Sequence, residues 1–260
     1  MTAFKGLLKK DFYISRHWMI TILVGDLVLL LVPLGLGIYI DEPLSFMPIV
    51  LFMLLGFHIF FQPTMLLQML HLEGKTQLWL YNTQSSRRLF ISKFIVAFSY
   101  QFISQVFLTG IGFIIFQFIK DIVDIHIPLQ TLFKGTVIFN VALLLIALYF
   151  ACWVIFYWSI YHSLSRLIPT GFFRWLILFL LFVGYNLISA FIAKIGFISE
   201  LVSKWTVPVM INQTFTYTDG AWETGVNAVD FPVMIFIVYV FLGFALFFFS
   251  SWLLDRKVEV

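Results

Sequence analysis

Charge is what this sequence has least of. Only 11% of its 260 residues are Asp, Glu, Lys or Arg, where an ordinary soluble domain carries roughly 25%. With 62% hydrophobic residues and a mean hydropathy of +1.01, the chain cannot cover itself with a polar surface, which excludes a water-soluble globule. Cysteine is almost absent as well. The single Cys152 lies in an apolar run, so an intrachain disulfide and a cysteine metal cluster are both excluded. The histidines are scattered at 17, 58, 71, 126 and 162, without the H-E-x-x-H pairing that a membrane zinc protease needs. No nucleophile motif places a serine beside His58, and His58 has no evident mate for haem. There is no internal repeat and no low-complexity tract. A cleavable leader is not evident either. The first apolar run, about 22 residues, exceeds a signal-peptide core and should remain as an anchor.

What fills the chain instead is apolar and aromatic, with 33 phenylalanines. A membrane helix needs roughly 20 apolar residues, and six stretches qualify: 19–40, 46–70, 94–119, 135–160, 174–196 and 231–254. Ahead of the first, Phe4, Leu7, Leu8 and Phe12 recur at helical spacing among Lys5, Lys9, Lys10 and Arg16. That pattern predicts a basic amphipathic helix over 1–18 lying in the membrane interface. The plainer alternative is a helix that runs straight on into the first span.

The basic residues assign the sides. Lys5, Lys9, Lys10, Arg16, Lys75, Arg87, Arg88, Lys93, Arg166, Arg174, Arg256 and Lys257 are twelve of the sixteen lysines and arginines, and all fall on one side of an alternating topology. The positive-inside rule makes that side the cytosol, with both termini in it, for a protein of the cell membrane. The expected class is an all-α membrane protein forming one transmembrane domain over 1–260. Pro63 should kink the second span and free a backbone carbonyl, and Pro33 could act likewise in the first. The last external connection, 197–230, is too apolar for a loose linker, and interfacial or re-entrant helices are expected there, making it partly helical.

Three features bear on function. Gly74-Lys75-Thr76 imitates the end of a phosphate-binding loop, but Met69 stands where that loop needs its first glycine and the flanks are membrane helix, so no nucleotide site is expected in this chain. Inside the spans, Asp26, His58 and Gln62 are the leading polar residues; Asp26 and His58 differ in depth by about 6 Å and could pair across neighbouring helices. The plain reading is interhelical glue, as for Ser99, Gln101, Ser104, Gln105, Thr109, Asn140 and Asn186. The third feature is the polar interruption at 72–93. It holds Glu73, then Leu78-Trp79-Leu80-Tyr81, a turn-forming Asn82-Thr83-Gln84-Ser85-Ser86, the pair Arg87-Arg88, and Lys93 at the head of the third span. A solvated loop has no need of a tryptophan and a tyrosine flanked by leucines, whereas a short cytosolic helix that docks in a groove does.

This segment resembles the coupling segment of the permease subunits of ABC-2-type ABC transporters. There a glutamate, a leucine-rich stretch, a small polar residue, an arginine pair and a lysine occur in the order of Glu73, Leu78 to Leu80, Ser86, Arg87-Arg88 and Lys93. The stretch 77–82 is more aromatic here than is usual in that family. The resemblance extends to six spans, internal termini, an N-terminal elbow helix and a longer, partly helical last external connection, and points toward permeases of phenol-soluble-modulin or antimicrobial-peptide exporters of Firmicutes. It implies a permease without enzymatic chemistry of its own. ATP and Mg²⁺ would be bound by two copies of a separate ATPase subunit, and a second permease, identical or homologous, would complete the pathway in the lipid bilayer. It also implies contact with the ATPase through Glu73, Leu78, Trp79, Leu80, Tyr81, Arg87 and Arg88, and the intramembrane polar residues Asp26, His58 and Gln62 are the first candidates for the pathway. The apolar spans suit an amphipathic peptide or lipid-like cargo, and no nucleic acid is expected as a partner. An importer or a lipid-linked glycan exporter is the rival within transport. A non-transporting membrane sensor that docks a regulator on 72–93 is the rival outside it.

Overall fold

In the computed structural model the described residues are 3–39, 46–76, 85–119, 129–197, 200, 205–218 and 221–258. They contain six helices long and apolar enough to cross a membrane. Helix α1 is Ala3–Tyr39. The second span is made of α2 (Met47–Phe57), a 3₁₀ turn (His58–Phe60) and α3 (Phe61–Thr76). Then follow α4 (Ser86–Ile119), α5 (Leu129–Ser163), α6 (Gly171–Ala193), a hairpin of strands β1 (Thr206–Thr218) and β2 (Ala221–Pro232), and α7 (Val233–Leu253), which widens into a π-helical turn at Leu254–Val258. Met1–Ser163 with Leu246–Val260 make one compact unit, and Leu164–Ala245 make a second.

Two expectations need correction. The separate interfacial helix over 1–18 is not seen. Residues 3–39 are one uninterrupted helix, about 56 Å long, nearly twice the ~30 Å hydrocarbon thickness. Neither glycine nor proline, the usual causes of a sharp kink, occurs between Phe12 and Leu23. The chain also departs from all-α. Helical residues occur at 196–197 and 200, but 206–232 forms an antiparallel hairpin paired from Thr206↔Pro232 to Thr218↔Ala221, with an irregularity between Met210 and Asn212. The two residues between the strands are Asp219 and Gly220, the dipeptide that favours a tight hairpin turn. In the second unit the Val233 amide donates to the Trp205 carbonyl at 2.9 Å, closing the base of the hairpin.

The first unit is organised on α4, which packs on α1, α2, α3 and α5. Phe90, Lys93, Val96, Ala97, Gln101, Ser104, Gln105 and Leu108 are all buried and recur every three or four residues, so they form one inward stripe. Its apolar members pack with Met65, Leu66 and Met69 of α3, Met19 of α1 and Ala151 of α5 at one level, and with Leu30, Leu51, Leu54, Leu55 and Leu143 at another. Its polar members make two centres, one in mid-span and one at its Lys93 end. The outward faces are dense in Phe, Leu, Ile and Val, an exposed apolar surface that water would not tolerate and lipid would.

The second span is broken where Pro63 foretells it. A proline has no N–H for the carbonyl four residues earlier and its ring crowds that carbonyl. The chain here passes through the 3₁₀ turn at His58–Phe60. The His58 carbonyl accepts the Phe61 amide, as a 3₁₀ bond, and also Gln101 Nε2 from α4 at 3.0 Å. A side chain thus caps the backbone of the break, as buried backbone in hydrocarbon requires.

Candidate functional site

The centre at the Lys93 end is ionic. Lys93 Nζ lies 2.8 Å from Glu73 Oε1 and 3.0 Å from Asp11 Oδ1. Lys10 Nζ also bonds Glu73 and stands 3.7 Å from Asp11, while the Ser92 hydroxyl donates to Asp11 Oδ2. Asp11, Ser92 and Lys93 are at most 1% exposed, and Glu73 is 3% exposed. The helices explain the convergence. Leu7, Asp11, Ser15 and Met19 follow at i+4 on the buried face of α1; Glu73 ends the inward row of α3; Ser92 and Lys93 open the stripe of α4. Each charge has an opposite charge beside it and Asp11 also accepts from the Ser92 hydroxyl, the condition under which buried ions are tolerated. Asp11 went unmarked in the sequence because it sits among cations. Its signal was position, an acid on the apolar spacing.

Glu73 is therefore not a free contact for a partner. Its side chain is committed to Lys93 and Lys10 inside the protein, which corrects the expectation that it steers an external subunit by charge. Leu78, Trp79, Leu80 and Tyr81 lie outside the described residues. Arg87 and Arg88 are exposed on the first turn of α4, with Arg87 lying over the Phe248 ring at 5.3 Å. Gly74-Lys75-Thr76 ends α3 as helix, not as a loop that wraps a phosphate.

A second device holds the start of α4. Asp255 accepts hydrogen bonds from the Ser86 backbone amide, at 3.3 Å, and from the Ser86 hydroxyl. The carboxylate satisfies an amide that a helix N-terminus leaves unpaired and complements the helix dipole there. Phe247 seats the same region against Phe90 and Phe94, with ring centroids 6.3 and 5.9 Å apart. Asp255→Ala is expected to cost about 0.5–2 kcal/mol, the usual cost of a lost cap. Thermal unfolding in mild detergent should show a modest fall in midpoint with helical content retained.

The mid-span centre is built on the break. His58 Nδ1 bonds the Leu54 carbonyl at 2.8 Å, and His58 Nε2 lies 2.9 Å from Ser104 Oγ. Ser104 Oγ in turn lies 3.4 Å from Asp26 Oδ2, which is 3.9 Å from His58 Nε2. Asp26 and His58 thus meet across α1 and the second span, as their depths foretell, with a serine between them. The serine beside His58 escaped the sequence because it comes from α4. The order is not that of a catalytic triad, in which the imidazole lies between hydroxyl and carboxylate. Here the hydroxyl is in the middle and is fully buried, and the far imidazole nitrogen is on a carbonyl. Gln62 Nε2 reaches the Leu144 carbonyl at 3.5 Å. Its Oε1, the Oε1 of Gln101 and both amide atoms of Gln105 have no hydrogen-bond partner among the described residues. Asn140 donates to Thr109 at 3.1 Å and ties α5 to α4, the packing role expected of it. Asn186 and Ser99 bond carbonyls of their own helices.

Fold and centres together define a multi-pass membrane protein with buried polar devices inside an apolar bundle. A Bacillus subtilis (strain 168) protein, carried under the name uncharacterized protein YhcE, is 32% identical in an alignment of 273 residues that covers the whole of both chains. The chain belongs to the family of that protein. No protein-family model matches the sequence, and no solved structure matches it.

Proposed function

We propose that this chain is the transmembrane permease subunit of an ATP-driven ABC exporter of the ABC-2 type, in the cell membrane with both termini in the cytosol. The observation that carries this reading is the double fastening around 77–84. On one side Glu73, the end of the second span, is clamped by Lys93 to Asp11 of α1. On the other side Ser86, the start of the third, is capped by Asp255. Helix ends fastened at Glu73 and Ser86 can pass a displacement applied between them into the bundle, whereas free helix ends would absorb it. The clamp includes the N-terminal turns of α1, so movement at 77–84 would reach the first three spans together.

On this reading two ATPase subunits bind ATP and Mg²⁺. Leu78, Trp79, Leu80 and Tyr81 fill a groove on one of them, and the exposed Arg87 and Arg88 orient the contact by charge. A second permease completes the pathway, and the cargo is an amphipathic peptide or lipid-like molecule. Asp26, His58 and Gln62 border the pathway at the break of the second span. A photoreactive amino acid at position 79 tests the docking site in cells. The expected product is a crosslink to an ATP-binding subunit that strengthens when the ATPases are trapped closed. Crosslinks to lipid alone would contradict it.

A further inference from the structure

We propose that Asp26, Ser104 and His58 form a proton-binding site, holding one proton more than an ionised aspartate and a neutral histidine would. The count of donors carries this. The Leu54 carbonyl can only accept, so the 2.8 Å contact places a proton on His58 Nδ1. Two links remain, Nε2 to Oγ at 2.9 Å and Oγ to Oδ2 at 3.4 Å. With an ionised Asp26 and a neutral His58, the Ser104 hydroxyl is the one proton available to both, and one link sets lone pair against lone pair. A second proton fills both links in either of two ways. It sits on Nε2, with the hydroxyl turned to Asp26, giving imidazolium and carboxylate. Or it sits on Asp26, with the hydroxyl turned to Nε2, giving carboxylic acid and imidazole. A shift of two protons along the chain interconverts these arrangements, and neither carries net charge.

The surroundings demand that neutrality. Between Trp18 and Ile38, α1 carries no ionisable group but Asp26; from Met47 to Leu70, the second span carries none but His58. Toward its far end from Lys93, α4 adds only Tyr100, and Lys93 itself is eleven residues from Ser104, about 16 Å along the helix. Between Lys134 and His162, α5 offers Tyr149, Cys152, Tyr157 and Tyr161. Among the described residues of these helices no fixed cation stands near enough to support a lone carboxylate in mid-span, where an unpaired ion is least tolerated. Losing the proton would leave such a carboxylate beside the 3₁₀ break, with Asp26 and His58 both acceptors. The inference rests on this donor count and stands whether or not the chain serves an ATPase.

The test is the protonation state at pH 8, where a free histidine, with a pKa of about 6.5, is neutral and a free aspartate is ionised. Histidine-labelled protein in detergent micelles is read by nitrogen NMR and the same sample by infrared spectroscopy. The expected result is one proton per chain, seen as an imidazolium that disappears in His58→Gln or as a protonated carboxyl band that disappears in Asp26→Asn. Wild-type protein with neither signal overturns the proposal, with no variant needed. Stability supplies a second reading. The folded state would keep a proton that the unfolded chain releases above about pH 6.5, so the unfolding constant should rise by up to tenfold per pH unit until the site itself lets go. Asp26→Asn supplies a permanent donor to Ser104 and should remove that part of the slope; an unchanged slope in the variant counts against the site.

Discussion

Lys93→Met is expected to lower the unfolding midpoint in mild detergent more than any other single change at the α3–α4 end of the bundle, by the equivalent of about 3–5 kcal/mol. Lys93 is the fully buried cation of the cluster and contacts both Asp11 and Glu73. Removing it leaves two carboxylates out of water with Lys10 as the remaining ammonium. The Lys10 side chain is 30% exposed and can rehydrate when its partners change. Lys10→Met should therefore cost under about 1 kcal/mol, as for a solvated pair. The contrast between two lysines around the same glutamate is the informative quantity. Combining Lys93→Met with Asp11→Asn and Glu73→Gln should recover part of the loss, because it removes the stranded charges along with their partner. Equally small effects of the two single lysine variants would show that the cluster is solvated.

On the proposed function, Trp79→Ala should reduce binding of the ATPase subunit by roughly thirtyfold or more, the scale of about 2 kcal/mol for a buried aromatic anchor at an interface. Membrane insertion and unfolding midpoint should stay unchanged, because Glu73 is held by Lys93 and Lys10 and Ser86 by Asp255. Co-purification titrated with the proposed ATPase, beside the thermal midpoint of this chain alone, separates the two. Wild-type binding by the variant would remove Trp79 from the docking site. A fall in midpoint would instead place it in the fold.

The gross architecture was legible because hydrocarbon allows so few solutions. Six apolar stretches become six helices, and Pro63 marks the break that the structure has. Asp26 and His58 were found from depth alone, since helical rise converts sequence separation into height. What was not legible came from residues whose partners lie far away in sequence. Ser104 and Asp255 look like ordinary helix and tail residues until α4 brings one to His58 and the other to Ser86. Asp11 was hidden by its basic neighbours, although its i+4 relation to Leu7 and Ser15 placed it on the buried face. Two errors were of another kind. Amphipathic spacing over residues 4–16 predicts a helix but not a break after it, and α1 runs on without one. The hairpin was signalled by Asp219-Gly220, and the apolar content of the flanking residues drew the expectation toward helix.

The most direct measurement is to purify the protein from its native membrane in mild detergent and identify what accompanies it. The account predicts an ATP-binding subunit in about equal amount, with a second permease present as another copy of this chain or as a homologue. Recovery of the chain alone, or with a signalling protein in place of an ATPase, would contradict it and would make 72–93 the docking site of a regulator.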